Sequence, residues 1–243
     1  MKKLLPLLLL VAGFSQTATA AELSLLNSLN QTEFRLLSED FGSALSYKPV
    51  TPATTLGITG FDVGVEVTST DISKSGAVLR QATSNAVDVT RLYIPKLHVA
   101  KGLPFGFDVA ASLAVVPTTD IKVMGAELRY AILDGGLLLP TIGIRGAATR
   151  MVGVKELSFD TKSVDISISK GFLMISPYAG VGQVWVNSKS NARGAGGVVL
   201  DESFSQSKVF AGANLNLGLM NFALEGDRTG GATSLSFKFG FRW

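Results

Sequence analysis

His98 is the single histidine of the 243-residue chain, and cysteine is absent. The side chains that most often serve as nucleophile, general base or metal ligand are therefore almost missing. One imidazole without a second histidine or a thiolate does not make a usual zinc set. A lone histidine on a strand is ordinarily a polar wall residue rather than a catalyst. No catalytic residue, metal or cofactor is assigned. Arg193-Gly194-Ala195-Gly196-Gly197 is glycine-rich, yet it lacks the Lys-Ser/Thr ending of a phosphate loop and follows no strand–helix unit, so it reads as a flexible exposed loop.

What the chain does hold is a series of charged residues at alternating positions between apolar ones. Asp62, Glu66, Asp108, Glu127, Asp165, Glu225 and Asp227 stand against Lys96, Arg129, Arg145, Lys208, Lys238 and Arg242. If the segments are strands, these residues share one face. Two readings stay open. The charges pair with one another in a narrow interior, where an unpaired charge is costly, or they line a hydrated pore whose balanced sign gives little ion selectivity.

The elements that would position them follow from period-2 alternation. From Thr233 to Trp243, Thr233, Leu235, Phe237, Phe239, Phe241 and Trp243 alternate with Ser234, Ser236, Lys238, Gly240 and Arg242. The same pattern recurs over about ten segments, near residues 58–68, 88–100, 105–116, 121–133, 137–150, 157–169, 172–187, 204–217, 222–228 and 233–243; eight or twelve strands stay open. The uncharged run Gly171–Ser188 contains Pro177, Gly180 and Gly182, which suits a strand better than a membrane helix. Apolar outer faces with a charged inner face predict an all-β, antiparallel up-and-down transmembrane barrel.

The closing segment resembles the C-terminal strand of Gram-negative outer-membrane β-barrel proteins. That resemblance implies Phe241 and Trp243 as the signal read by the barrel-assembly machinery, with outer-membrane lipid around the wall. Ten strands are also used by the omptin proteases. Their catalytic histidine and aspartates cluster at the extracellular end, where this chain has no histidine.

Residues 1–20 have the charged start, short apolar core and small-residue cleavage site of a secretory leader, with cleavage expected after Ala20. Of 22 basic side chains, Lys2 and Lys3 fall in that leader, which leaves near balance against 19 acidic ones and no case for a nucleic-acid partner. Residues 21–55 form a separate segment before the barrel of residues 56–243. Asn30 and Glu33 form an N-cap pair, and Phe34, Leu37, Phe41 and Leu45 then fall on one helical stripe, which Pro49 and Pro52 end.

The inward faces also carry the small residues Gly64, Gly106, Ala110, Gly125, Gly143, Gly212 and Gly240, which either hollow the lumen or serve strand curvature and bulges. The segment of residues 21–55 is a candidate lumen plug, expected to enter the periplasmic half of the barrel, where Gly64, Gly125, Gly143 and Gly212 leave room. In outline it is similar to the outer-membrane fatty-acid transporters, whose N-terminus plugs the lumen, although their Asn-Pro-Ala element is absent. The stretches Ser69–Val87 and Ser188–Ser203 are expected as long extracellular loops, with both termini periplasmic and tight turns on the periplasmic rim. The leading functional expectation is a passive conduit or binding barrel for a small molecule, apolar or not. A closed structural or surface-loop barrel is the alternative, and a lipid-modifying barrel enzyme the remote one.

Overall fold

A computed structural model describes residues 26–82, 90–115, 121–136 and 138–243. The leader and its cleavage site lie outside the described residues, as does part of the loop that begins at Ser69. Ten strands, β1 (Phe61–Asp71), β2 (Arg91–Gly102), β3 (Phe107–Val115), β4 (Lys122–Leu133), β5 (Thr141–Val152), β6 (Leu157–Ser169), β7 (Ile175–Arg193), β8 (Val199–Leu217), β9 (Met220–Thr229) and β10 (Ala232–Arg242), form one closed barrel. Each pairs antiparallel with its sequence neighbours, and β10 closes on β1. At that seam Phe61 and Trp243 exchange backbone hydrogen bonds of 2.9 and 3.1 Å, and their rings stack with centroids 5.2 Å apart.

The register fixes the size of the barrel. Following hydrogen-bonded partners from Asn216 through Asn221, Gly240, Gly64, His98, Ser112, Gly125, Thr149, Thr161 and Val186 returns to β8 at Phe204, twelve positions higher. A stagger of that size over ten strands, with a rise near 3.3 Å and a spacing near 4.8 Å, gives a strand tilt of about 40° and a backbone radius of about 10 Å.

Burial alternates strictly along most strands. On β1, Asp62, Gly64, Glu66, Thr68 and Thr70 point inward, while Val63, Val65 and Val67 are 41–49% exposed on the outside. The outer face carries a continuous apolar belt that includes Leu97, Leu128, Ile144, Ile166, Val209, Leu224 and Phe237. A wall that is apolar outside and charged inside is the reverse of a soluble barrel and fits a membrane-spanning one.

Connections after β2, β4, β6 and β8 lie on one rim, called here the turn rim; those after the odd-numbered strands lie on the loop rim. The loop after β1 is long and contains α2 (Gly76–Ala82). Residues 188–203, expected as a second long loop, are instead the upper ends of β7 and β8, joined by a short connection around Gly194–Val198. Their outward residues Asn187, Lys189, Asp201, Ser203 and Ser205 are polar because this hairpin has climbed out of the apolar belt. Below them Trp185 marks the boundary, still facing outward at 44% exposure.

Candidate functional site: the filled lumen

Strand register alone brings the inward charges together. Asp62 faces Arg242, Glu66 faces both Lys238 and Lys96, Asp108 faces Arg129, and Arg145 faces Asp165. Lys238 reaches Asp62 at 2.7 Å, Lys96 reaches Glu66 at 2.6 Å and Arg145 reaches Asp165 at 2.7 Å. Arg129 pairs with Asp108, and Arg242 with Asp62. Arg129 and Arg145 are themselves register partners of like sign, each relieved by a carboxylate on its other side. Glu127 lies 3.8 Å from Arg145, and Glu225 accepts a 3.0 Å hydrogen bond from the Tyr178 hydroxyl. The thirteen charged residues named from the sequence thus all lie on the inner wall, where the described structure favours pairing over a hydrated lining.

The pairing also recruits the N-terminal segment. Helix α1 (Gln31–Leu45) starts at Asn30, whose side chain accepts from the Glu33 amide at 3.0 Å while Glu33 accepts from the Asn30 amide at 2.8 Å. Phe34, Leu37 and Leu45 are buried and Phe41 is partly so. They pack on Ile72, Phe159, Val184, Val186 and Leu200, with the Phe41 and Phe159 rings 6.3 Å apart. Gly42 allows the closest approach, since a Cβ there would sit 2.7 Å from Val186 Cγ2.

The helix lies in the half of the barrel next to the loop rim, not in the half next to the tight turns, where the sequence places it by expectation. Gln31 donates to the Asp201 carbonyl at 2.9 Å, Ser38 and Ser188 hydroxyls are 2.6 Å apart, and the Ala195 amide donates to the Leu29 carbonyl at 2.9 Å. Asp40 accepts the Ser75 amide at 2.9 Å beyond the end of β1, and burial pushes its carboxyl above the ordinary aspartate value. The physical reason is the wall. Its upper part offers the cluster of large inward apolar side chains on which the helix stripe packs, whereas the lower part carries most of the paired charges.

That lower part is crossed by an extended strap, residues 46–56, which descends to the turn rim and leads into β1. Pro49 and Pro52 hold it extended and lack amides that would otherwise need partners. The wall supplies the remaining bonds. Lys208 donates to the Tyr47 carbonyl at 3.0 Å, Lys96 to the Lys48 carbonyl at 2.7 Å, Arg129 to the Pro52 carbonyl at 2.6 Å and Arg242 to the Thr51 hydroxyl at 2.8 Å. Asp108 accepts the Leu56 amide at 3.1 Å. Lys48 returns the favour, its ammonium 2.7 Å from Asp227 with both side chains buried. The backbone turns at Val50, where φ is +46°, an uncommon conformation for a β-branched residue.

The small inward residues divide by role. Gly125 and Gly143 make room for the strap, a Cβ on them falling 3.0 Å from the Tyr47 ring and 3.3 Å from the Ala53 carbonyl oxygen. Gly212 accommodates the Tyr178 ring at 2.6 Å, and Gly64 and Gly240 face each other across the seam. Gly106 is not on the inner wall; it sits in the turn before β3 with φ of +77°. Beside Tyr47, Lys48 and Lys96 a cavity of about 30 Å³ remains, room for little more than a water. A vestibule of about 380 Å³ opens at the turn rim between Pro52, Thr54, Ser169, Asn216 and Trp243.

His98 is buried, its Nδ1 3.9 Å from Asp62 and 3.8 Å from Glu66, too far for hydrogen bonds. Among the described residues no group of three His, Cys, Asp or Glu side chains is placed to hold a metal ion. Arg193 ends β7, and Ala195–Gly197 form a short turn that caps the hairpin. Phe241 and Trp243 are 51% and 56% exposed on the outer face at the turn rim. Sequence reasoning missed Lys48 and Tyr178. Lys48 carries one weak signal, a lone charge in a tract otherwise free of charge from Phe41 to Gly60.

No family model and no curated protein matches the chain. Among solved structures it is similar to the N-terminal β-barrel domain of OprF from Pseudomonas aeruginosa, at 10% identity and a TM-score of 0.34 over 75% of this chain and 97% of that one. The KdgM porin in complex with disordered oligogalacturonate gives 6% identity and a TM-score of 0.37 over 74% and 98%. The translocator domain of the autotransporter NalP from Neisseria meningitidis gives 11% and 0.36 over 86% and 93%.

Proposed function

We propose that this chain is an outer-membrane barrel closed by its own N-terminal segment, acting as a structural or surface-interaction protein rather than as an open passage. The observation that carries the reading is the strap of residues 46–56, whose carbonyls and side chains are held by wall charges from β2, β3, β4, β8, β9 and β10. A leader before residue 21, an apolar belt and an aromatic end support placement in the outer membrane of a Gram-negative envelope, with the loop rim outside the cell. No catalytic role is assigned, since His98 is enclosed by the wall and strap.

The conduit reading keeps one supporting observation, the vestibule at the turn rim. For a small molecule to cross, α1 and the strap would have to leave. Planar-bilayer recordings separate the two. The full chain should show no steady conductance, and a folded variant without residues 22–54 should conduct. Steady conductance by the full chain overturns the closed reading.

A further inference from the structure

The outer wall carries a feature that the lumen does not use. Because the register climbs twelve positions over ten strands, points of equal height fall slightly more than one residue below the hydrogen-bonded partner on each successive strand. Lys122 on β4, Arg150 on β5 and Lys162 on β6 lie along such a level line. Their own register partners are others: Lys122 faces Val152, Arg150 faces Asp160, and Lys162 faces Trp185. All three cations are exposed, and among the described residues none of them is ion-paired, Arg150 included despite Asp160 opposite it.

With strands about 4.8 Å apart and tilted by about 40°, the row spans about 12 Å around the barrel. Directly below come Met124, Ala148 and Val164, the first outward residues of the apolar belt on the same strands. Unbroken continuity between a cationic row and an apolar wall decides the occupant. A soluble anion would meet the charges alone, whereas a lipid places its phosphate at the row and its acyl chains on the belt. Trp185, beside Lys162, stands at the height where such headgroups lie.

We infer that Lys122, Arg150 and Lys162 form a binding site for the phosphate groups of a phosphorylated lipid in the leaflet at the loop rim. The site rests on the membrane-spanning reading of the wall and is independent of whether the lumen conducts.

The test is native mass spectrometry of the full folded chain with diphosphorylated lipid A, against phosphatidylcholine, a zwitterion without net charge, as the control. The triple variant K122Q/R150Q/K162Q should retain the phosphorylated lipid on the order of a hundredfold less well, about fivefold per charge. The comparison variant K155Q/K189Q/R228Q, which removes three other exposed cations of the same rim, should retain it as the parent does. Equal losses in the two variants would mean net charge alone and overturn the site, and so would equal retention in all three proteins. Displacement of the lipid by millimolar inorganic phosphate would overturn the lipid assignment in favour of a free anion. Heat-modifiable gel mobility reports folding. If the triple variant does not fold, R150Q is compared in the same way with R228Q, and an equal effect of the two overturns the site.

Discussion

Replacing Lys48 by methionine removes the cation that ties the strap to β9. Both partners are buried, with side-chain exposures of 2% for Lys48 and 0% for Asp227. Asp227 would keep the Thr229 hydroxyl at 3.0 Å and the more distant charge of Lys208, but its Oδ2 has no hydrogen-bond partner and Lys208 makes no ion pair with it, so the lost charge is replaced only in part. Breaking a buried pair from one side costs about 3–5 kcal/mol. Release of the strap would let water reach Asp227, so the cost falls on the docked state. At about 3 kcal/mol the released fraction rises on the order of a hundredfold, since each 1.4 kcal/mol is about tenfold. A cysteine at Ala44, which is 4% exposed in a chain with no cysteine of its own, reports release through its rate of modification by a water-soluble thiol reagent. When docking equilibrates faster than modification, that rate follows the released fraction. Lys48→Met should accelerate it on that scale. Adding Asp227→Leu, which removes the stranded carboxylate, should recover most of the loss. A single variant within about threefold of its parent, or a double variant faster than the single, refutes the idea that this pair holds the strap.

Three further outcomes are expected. Burial raises the Asp40 carboxyl, so its stabilising contribution is complete below the unfolded value, about 4, and is lost as pH rises through the folded one; Tm relative to Asp40→Asn should therefore increase on going from neutral pH to about pH 4. Gly42→Ala gains about 1 kcal/mol of helix propensity but places its methyl 2.7 Å from Val186 Cγ2, so the net effect on the denaturation midpoint should be a loss of about 1–2 kcal/mol, recovered by Val186→Ala. Deleting residues 241–243 removes Trp243 and its bonds to Phe61 and should abolish assembly in cells, whereas Arg242→Ala should assemble and lose about 1–3 kcal/mol, because Asp62 keeps Lys238; equal yields for the two variants would contradict this.

Strands whose outer face stays within the lipid belt could be read from the chain directly. Residues 157–169 are bounded correctly because Val164, Ile166 and Ile168 alternate with Asp165, Ser167 and Ser169, one set meeting lipid and the other the lumen. The pattern fails where a face meets something else. Val184 and Val186 point inward yet are apolar, because α1 covers them, and this hides the alternation of β7. Residues 188–203 look like a loop because their outward side chains meet water. The helix stripe is legible from Phe34, Leu37, Phe41 and Leu45, but its depth is not, since the apolar partner is assembled from β6, β7 and β8. The strap is illegible for a plainer reason: an extended segment held by its own carbonyls leaves no periodic mark on the side chains.

The path of the first described residues also constrains how the molecule is made. Leu29 is bonded at the β7–β8 hairpin, while β1 begins at the opposite rim, so the chain runs down the axis of a ring that it then goes on to build. A ring closed beforehand would have to admit a helix about 10 Å across through an opening of similar width already lined with charges. The seam joins residues far apart in sequence, Asp62 and Arg242 being 180 positions apart, and pairings over such separations are slow to form. A wall that wraps around a segment already in place avoids that passage, with the strap serving as a mandrel and the β1–β10 seam as the last joint to set. Anything that delays α1 or the strap should leave an open sheet with two unpaired edges, the form most exposed to aggregation and proteolysis.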